Sequence, residues 1–152
     1  MQPKVGAAIA RLFYTHHYKV GIYDINSAQA QQLAASLGPN AKAGQLDVSS
    51  YQDWQTALAE FVTWAGELNV LVNNAGILFS GPFEHTEISA HHKTMSINVN
   101  GVLNGCHAAL PTSNKRILLV SSTFHRLQPS MVKLIWSRTL PVSLRYAASP
   151  KA

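Results

Sequence analysis

The chain has 152 residues, a length that suits one domain with a substantial hydrophobic core. Hydrophobic residues make up 47% and charged residues 12%, which excludes an intrinsically disordered chain. The formal net charge of +5 comes from few acids, and the bases form no longer run than the pair Lys115-Arg116. Because nucleic-acid binding requires a basic stripe, we expect no nucleic-acid partner.

Other simple features exclude further classes of protein. Met1 to Lys4 are not followed by the apolar run of a signal peptide, and no stretch approaches the ~20 apolar residues of a membrane span. We therefore expect a cytoplasmic protein without membrane contact. The pairs His16-His17 and His91-His92 lack HExxH spacing, so no metal site is expected. Cys106 is alone, which excludes an intrachain disulfide, and a buried inert thiol is expected.

Helical and strand patterns alternate along the chain. Apolar residues at helical spacing predict helices over residues 5–17, 27–37, 51–65 and 87–110. Short apolar runs predict strands over residues 19–23, 41–46, 69–72 and 115–120. This alternation predicts βαβ units with a parallel sheet. Residues 1–125 are expected to form a partial domain, and residues 126–152 an irregular C-terminal tail, because the pattern ends near Arg126.

The most informative stretch is Asn-Val-Leu-Val-Asn-Asn-Ala-Gly at residues 69–76. Its three apolar residues predict a strand that is buried on both faces, as in a parallel sheet. Ligands bind beyond the carboxyl ends of such strands, so Asn73 to Gly76 are expected at a ligand-binding edge. Taken alone, the stretch is explained more simply as a buried strand that is followed by a turn.

Five sequence motifs, in order, resemble the short-chain dehydrogenase/reductase family over about residues 5–123. They are Asp24, Asp47-Val48, Asn73-Asn74-Ala75-Gly76, Asn98-Val99-Asn100-Gly101 and Ser121-Ser122. The resemblance implies an α/β fold with a doubly wound parallel sheet, similar to the Rossmann fold. It also implies an NAD(P)-dependent oxidoreductase that transfers hydride between a nicotinamide and a small carbinol or carbonyl substrate.

The resemblance also implies which residues bind the cofactor. Asp24 resembles the carboxylate that accepts hydrogen bonds from both ribose hydroxyls and repels a 2′-phosphate, which favours NAD over NADP. Asp47 resembles the residue that meets the adenine amino group, with Val48 packed on the base. The other implied cofactor-binding residues are Gly6, Ile25, Asn74, Ala75 and Gly76.

The implied catalytic residues are Asn98, Ser122, Tyr146 and Lys151. Asn98 resembles an asparagine that holds a water in a proton relay, and Ser122 resembles a serine that hydrogen-bonds the substrate carbonyl. Tyr146 and Lys151 resemble a Tyr–Lys pair in which the lysine charge lowers the tyrosine pKa. The two residues are five positions apart rather than four, which places them about 140° apart around a helix. The match is therefore either the acid–base pair or a coincidence in a frame-shifted or alternatively spliced tail.

The chain also departs from the family pattern near residue 1. Of the glycine-rich turn that binds pyrophosphate only Gly6 is present, and no strand is predicted before the first helix. We therefore expect an incomplete sheet that lacks the first strand and the C-terminal elements, with either a central gap or a re-pairing of strands. A family-type oligomer is not expected. Two functions stay open: the oxidoreductase, and a catalytically inactive truncated remnant or interaction protein.

Overall fold

The computed structural model describes residues 5–79, 81–112, 117–121 and, for the backbone, 133–138. The helices are α1 (Val5–Thr15), α2 (Ser27–Leu37), α3 (Tyr51–Ala65), α4 (Ile88–Met95) and α5 (Gly101–Ala109). The strands are β1 (Tyr18–Asp24), β2 (Ala41–Gln45), β3 (Val70–Asn73), β4 (Leu118–Ser121) and β5 (Lys133–Arg138). The predicted alternation of helices and strands is confirmed for the first three strands, and the helix bounds of α3 are those predicted.

The five strands form one sheet in the order β2-β1-β5-β3-β4. The pairs β1–β2 and β3–β4 are parallel, whereas β5 runs antiparallel to both β1 and β3. In the doubly wound order 3-2-1-4-5-6, the first strand takes this central place. Of the two alternatives for the sheet centre, the structure therefore has the re-pairing. The backbone of β5 satisfies the amide and carbonyl groups of both neighbours, which a gap would leave unpaired.

The central strand lies within the segment that we expected to be irregular. Lys133–Arg138 forms a strand of six residues, so the expectation is wrong for this part of residues 126–152. Its pairing partners lie far away in the sequence, with Trp136 opposite Val20 on one side and opposite Val70 on the other. The division into a partial domain over residues 1–125 and a C-terminal tail stays a prediction.

Helices cover both faces of the sheet. On one face, α3 and α5 pack over Tyr23 and Leu71, with the fully buried Trp54 and Phe61 at the centre of the cluster. On the other face, α1 and α2 pack over alternate residues of β1 and β3, such as Val20 and Val72. Since successive residues of a strand point to opposite faces, a strand with apolar residues at every position requires both layers.

The predicted long helix over residues 87–110 is interrupted. It consists of α4, a π-helical turn over Ser96–Asn100, and α5. In this turn, the amide of Gly101 donates to the carbonyl of Ser96, five residues earlier. Such π turns occur often at functional sites because the extra residue changes which side chains face each neighbour.

Tyr23 is a buried polar residue in the core. Its ring is 0% exposed, and its hydroxyl donates to the carbonyl oxygen of Ala57 at 3.1 Å. A Cβ atom at Gly44 would collide with the Tyr23 ring, so this glycine makes room for it. Burial raises the pKa of the Tyr23 hydroxyl well above its usual value, and the charge of Glu60 raises it further.

We expect the raised pKa of Tyr23 to make the free energy of unfolding fall at alkaline pH. Below about pH 10 the hydroxyl is protonated in both states; above it, the unfolded chain loses the proton while the folded chain keeps it. Stability is then lost by up to ~1.4 kcal/mol per pH unit. Urea denaturation of the wild type and Tyr23→Phe from pH 8 to 11 measures this. At neutral pH, the free energy of unfolding of Tyr23→Phe should be ~1 kcal/mol lower than that of the wild type. At alkaline pH, it should fall less steeply with pH than that of the wild type; equal slopes would contradict the prediction.

Candidate active site at the carboxyl edge of the sheet

A cavity of about 260 Å³ lies where β1, β2 and β3 end. Since β1 and β3 both run antiparallel to β5, they are parallel to each other, and their carboxyl ends lie at one edge of the sheet. The residues that line the cavity are Tyr23, Asp24, Ile25, Asn26, Gln29, Leu46, Asp47, Val48, Ala75, Gly76, Ile77 and Ile97. Six of the eight predicted cofactor-binding residues are therefore brought together in one cavity.

Asp24 ends β1 and supplies a carboxylate to the cavity. Its side chain is 8% exposed, and Oδ1 accepts a hydrogen bond from the amide of Asn26 at 2.8 Å. Asn26 in turn caps α2, because its side-chain oxygen accepts from the amide of Gln29 at 3.2 Å. The positive end of the α2 dipole therefore lies close to this carboxylate. Ile25 follows Asp24 and is exposed at the cavity mouth.

The corner between β2 and α3, residues 47–50, forms the second wall of the cavity. Asp47 Oδ1 accepts from both the amide and the hydroxyl of Ser49, at 2.9 and 2.7 Å. The amide of Asp47 donates to Asp53 Oδ2 at 3.2 Å. Ser50 caps α3, since its hydroxyl oxygen accepts from the amide of Asp53. These local bonds hold Val48, which is 5% exposed, in the cavity wall.

The segment that follows β3 forms the third wall. Ala75 and Gly76 line the cavity, whereas Asn74 is 1% exposed and lies behind the lining. Asn73 ends β3, and its Nδ2 atom donates to Cys106 Sγ at 3.5 Å. Cys106 is half-buried, so the expectation of a fully buried thiol is wrong.

Gly6 does not belong to the cavity lining. It is buried in the first turn of α1. Six residues that sequence reasoning missed do line the cavity: Tyr23, Asn26, Gln29, Leu46, Ile77 and Ile97. The aliphatic and aromatic members of this set resemble ordinary core residues, and Asn26 and Gln29 resemble ordinary residues at a helix start. Only their position in the folded chain identifies them.

Asn98 lies in the π-helical turn and binds the third wall. Its Nδ2 atom donates to the carbonyl of Ile77 at 2.8 Å, and its Oδ1 atom accepts from the amide of Ile77 at 2.8 Å. The two bonds pair the Asn98 side chain with both backbone polar groups of one residue, Ile77. One N–H and one lone pair of the Asn98 amide stay available for a ligand or a water.

The other predicted catalytic residues, Ser122, Tyr146 and Lys151, lie outside the described residues. The preceding residue, Ser121, ends β4 at the same edge of the sheet. Within the described ranges, no group of three or more His, Cys, Asp or Glu residues could hold a metal ion. None of the helices found there is long and apolar enough to cross a membrane.

Comparison with known proteins identifies the family. The sequence profile of the short chain dehydrogenase family matches residues 4–133, and the chain belongs to that family. It is 40% identical over 106 residues to a 3-beta-hydroxysteroid dehydrogenase of Comamonas testosteroni, covering 70% of this chain and 42% of the relative. It is 35% identical over 128 residues to (+)-borneol dehydrogenase 2 of Salvia officinalis, covering 78% and 44%.

Solved structures agree with this assignment. A short-chain dehydrogenase/reductase described as a glucose/ribitol dehydrogenase, from Brucella melitensis, has a TM-score of 0.74 at 30% identity, over 78% of this chain and 52% of that chain. A 3-ketoacyl-(acyl-carrier-protein) reductase from Brucella melitensis, complexed with NADH, has a TM-score of 0.70 at 29% identity, over 72% and 46%. The chain thus spans about half the length of the proteins it matches. Its fold is an incomplete Rossmann-like α/β fold.

Proposed function

We propose that the chain is the nucleotide-binding part of an NAD-dependent oxidoreductase, and that its cavity binds the adenosine end of NAD. The observation that carries the proposal is the convergence of Asp24, the Asp47-Val48 corner and the Ala75-Gly76 segment on one cavity. These three pieces are far apart in the sequence, and each corresponds to a motif that the family resemblance predicted. The reductase from Brucella melitensis that is complexed with NADH supports the choice of a nicotinamide cofactor.

The chemistry of each wall suits one part of an adenosine. The Asp24 carboxylate only accepts hydrogen bonds, so it suits two ribose hydroxyls and repels a 2′-phosphate, which favours NAD over NADP. Val48, Ile97 and Leu46 offer apolar surface to a flat base. Ala75 and Gly76 have small side chains, so the backbone of this wall can approach a ligand closely.

The reaction in this proposal is hydride transfer between a nicotinamide and a small alcohol or carbonyl substrate. NAD would supply the hydride acceptor. Asn98 would hold a water, Ser122 would bind the substrate oxygen, and Tyr146 with Lys151 would move its proton; the last three stay predictions outside the described residues. Residues 1–125 would form the binding domain, with β5 from residues 126–152 completing its sheet. A cytoplasmic location stays a prediction as well.

One observation favours the second candidate, a non-catalytic interaction protein. The central β5 is antiparallel, so the chain enters it at the ligand edge, at Lys133 beside Tyr23. A parallel strand would instead end there and lead through a glycine-rich turn to a helix N-terminus that binds pyrophosphate. Because of this difference, we expect weaker binding of the cofactor phosphates.

A titration of the full chain with NADH, followed by cofactor fluorescence, distinguishes the two candidates. We expect saturable binding that AMP competes away, because the cavity is assigned to the adenosine end. Alcohol-dependent reduction of NAD by the same protein would establish the oxidoreductase. Saturable binding without turnover would leave a nucleotide-binding protein, and no binding at millimolar NADH would leave the interaction protein.

A further inference from the structure

Helix α5 reaches the corner at residues 47–50 through one side chain. Asn104 Nδ2 donates to two successive carbonyl oxygens, that of Val48 at 3.1 Å and that of Ser49 at 3.2 Å. The two bonds join positions more than fifty residues apart in the sequence. Since both acceptors belong to the corner backbone, Asn104 restrains the path of the chain there rather than a single side chain.

The backbone of α5 also lies directly on Val48. A Cβ atom at Gly101 would come within 2.8 Å of Val48 Cγ2 and 2.9 Å of Val48 Cβ, so only glycine allows this approach. Gly101 and Asn104 are three residues apart and therefore share one face of the helix. On this face, Gly101 packs against the side chain of Val48, and Asn104 binds the carbonyl oxygen of the same residue.

The π-helical turn lets the same helix contact the opposite wall. Asn98 binds the peptide of Ile77, and Ile97 itself lines the cavity. One continuous helical segment thus contacts the wall after β3 near residue 98 and the Asp47-Val48 wall near residue 104. The separation of the two walls is set by this segment.

Asp47 has an oxygen atom that is available to a ligand. Its Oδ1 atom is occupied by Ser49, while Oδ2 accepts no hydrogen bond from the residues that the structure describes. An oxygen that only accepts suits a donor such as the exocyclic amine of adenine. The direction of this oxygen depends on the backbone of the corner, which Asn104 holds.

We propose that Asn104 is a positioning residue that makes the cavity selective for a base with an exocyclic amine. Asn104 does not touch the base; it holds the corner so that Asp47 faces the amine while Val48 packs on the ring. This inference rests on the proposed function, because it assumes that the cavity binds the adenosine end of NADH.

The test compares NADH with reduced nicotinamide hypoxanthine dinucleotide, which lacks the amine. The full chain and the variants Asn104→Asp and Asn104→Ser are titrated with both, and circular dichroism checks that each protein is folded. We expect the wild type to prefer NADH by roughly tenfold, and the variants by about twofold or less. A purely structural role would weaken both ligands equally and leave the ratio unchanged. Asn100→Asp and Asn100→Ser are matched controls, since Asn100 is exposed on the π-helical turn.

Each outcome decides the inference. A ratio that falls in the Asn104 variants and not in the Asn100 variants supports it. An unchanged ratio, with normal binding of NADH, overturns it and leaves the proposed function intact. If both Asn104 variants unfold while both controls stay folded, Asn104 is a folding residue and the inference is wrong. If the wild type binds neither dinucleotide, the proposed function fails and the inference fails with it.

Discussion

Replacing Gly105 with valine is expected to lower the free energy of unfolding by about 3 kcal/mol. Gly105 lies on the buried face of α5, where an added Cβ atom would come within 2.6 Å of Trp54 Cζ2 and 2.7 Å of Asn73 Oδ1. Trp54 is 0% exposed and Asn73 is 2% exposed, so neither neighbour has room to move. The loss of stability comes from overpacking in the core between α3, α5 and β3. It exceeds the small gain in helix propensity from glycine to valine.

Urea denaturation followed by circular dichroism measures the effect of Gly105→Val. The matched control is Leu103→Val, which places the same β-branched residue on the same helix at a position that is 61% exposed. The control should change the free energy of unfolding by less than about 1 kcal/mol. Helix propensity favours valine over glycine, so it cannot explain a loss at residue 105. A loss in Gly105→Val no larger than that in the control would show that the contact with Trp54 does not govern this position.

Replacing Asp24 with asparagine is expected to weaken NADH binding by about 30-fold. The carboxylate can accept charge-assisted hydrogen bonds from both ribose hydroxyls, whereas the amide offers one acceptor and one donor. Asparagine keeps the size of the side chain and an oxygen for the amide of Asn26, which lies 2.8 Å from Oδ1. The loss of affinity should therefore come from the changed charge and not from a disrupted turn.

The same substitution should raise the affinity for NADPH relative to NADH, because the repulsion of the 2′-phosphate is removed. Titrations of the wild type and Asp24→Asn with both cofactors measure this ratio. Glu84→Gln is the control, since Glu84 is an exposed carboxylate that does not line the cavity. An unchanged ratio in Asp24→Asn would remove Asp24 from the cofactor site, and a shift of equal size in Glu84→Gln would point to net charge alone.

The parts of the fold that were predicted from the sequence depend on local patterns. The helix over Tyr51–Ala65 follows from its amphipathic spacing, which acts within a few residues. Asp24, Asp47 and Ala75-Gly76 were predicted as parts of one site from the family resemblance that their motifs carry, and all of them line one cavity. For residues 73–76 the sheet-edge argument gave the same expectation. The short motifs were thus sufficient to identify these cavity-lining residues.

The break at Ser96–Asn100 was not predicted, because the apolar spacing of residues 87–110 is compatible with one continuous helix. The extra residue is explained by Asn98, whose amide binds the peptide of Ile77, more than twenty positions earlier. A pattern read along the helix contains no information about that partner.

The sequence by itself therefore determined the family, the parallel βαβ units and half of the residues that line the cavity, because these follow from short motifs and local periodicity. The tertiary structure alone decided that β5 occupies the centre of the sheet, since its pairing satisfies backbone groups of strands about 60 to 120 residues earlier. It also decided that Asn104 holds the corner at Val48 and Ser49. Both features depend on contacts between distant segments, and such contacts exist only when the chain is folded.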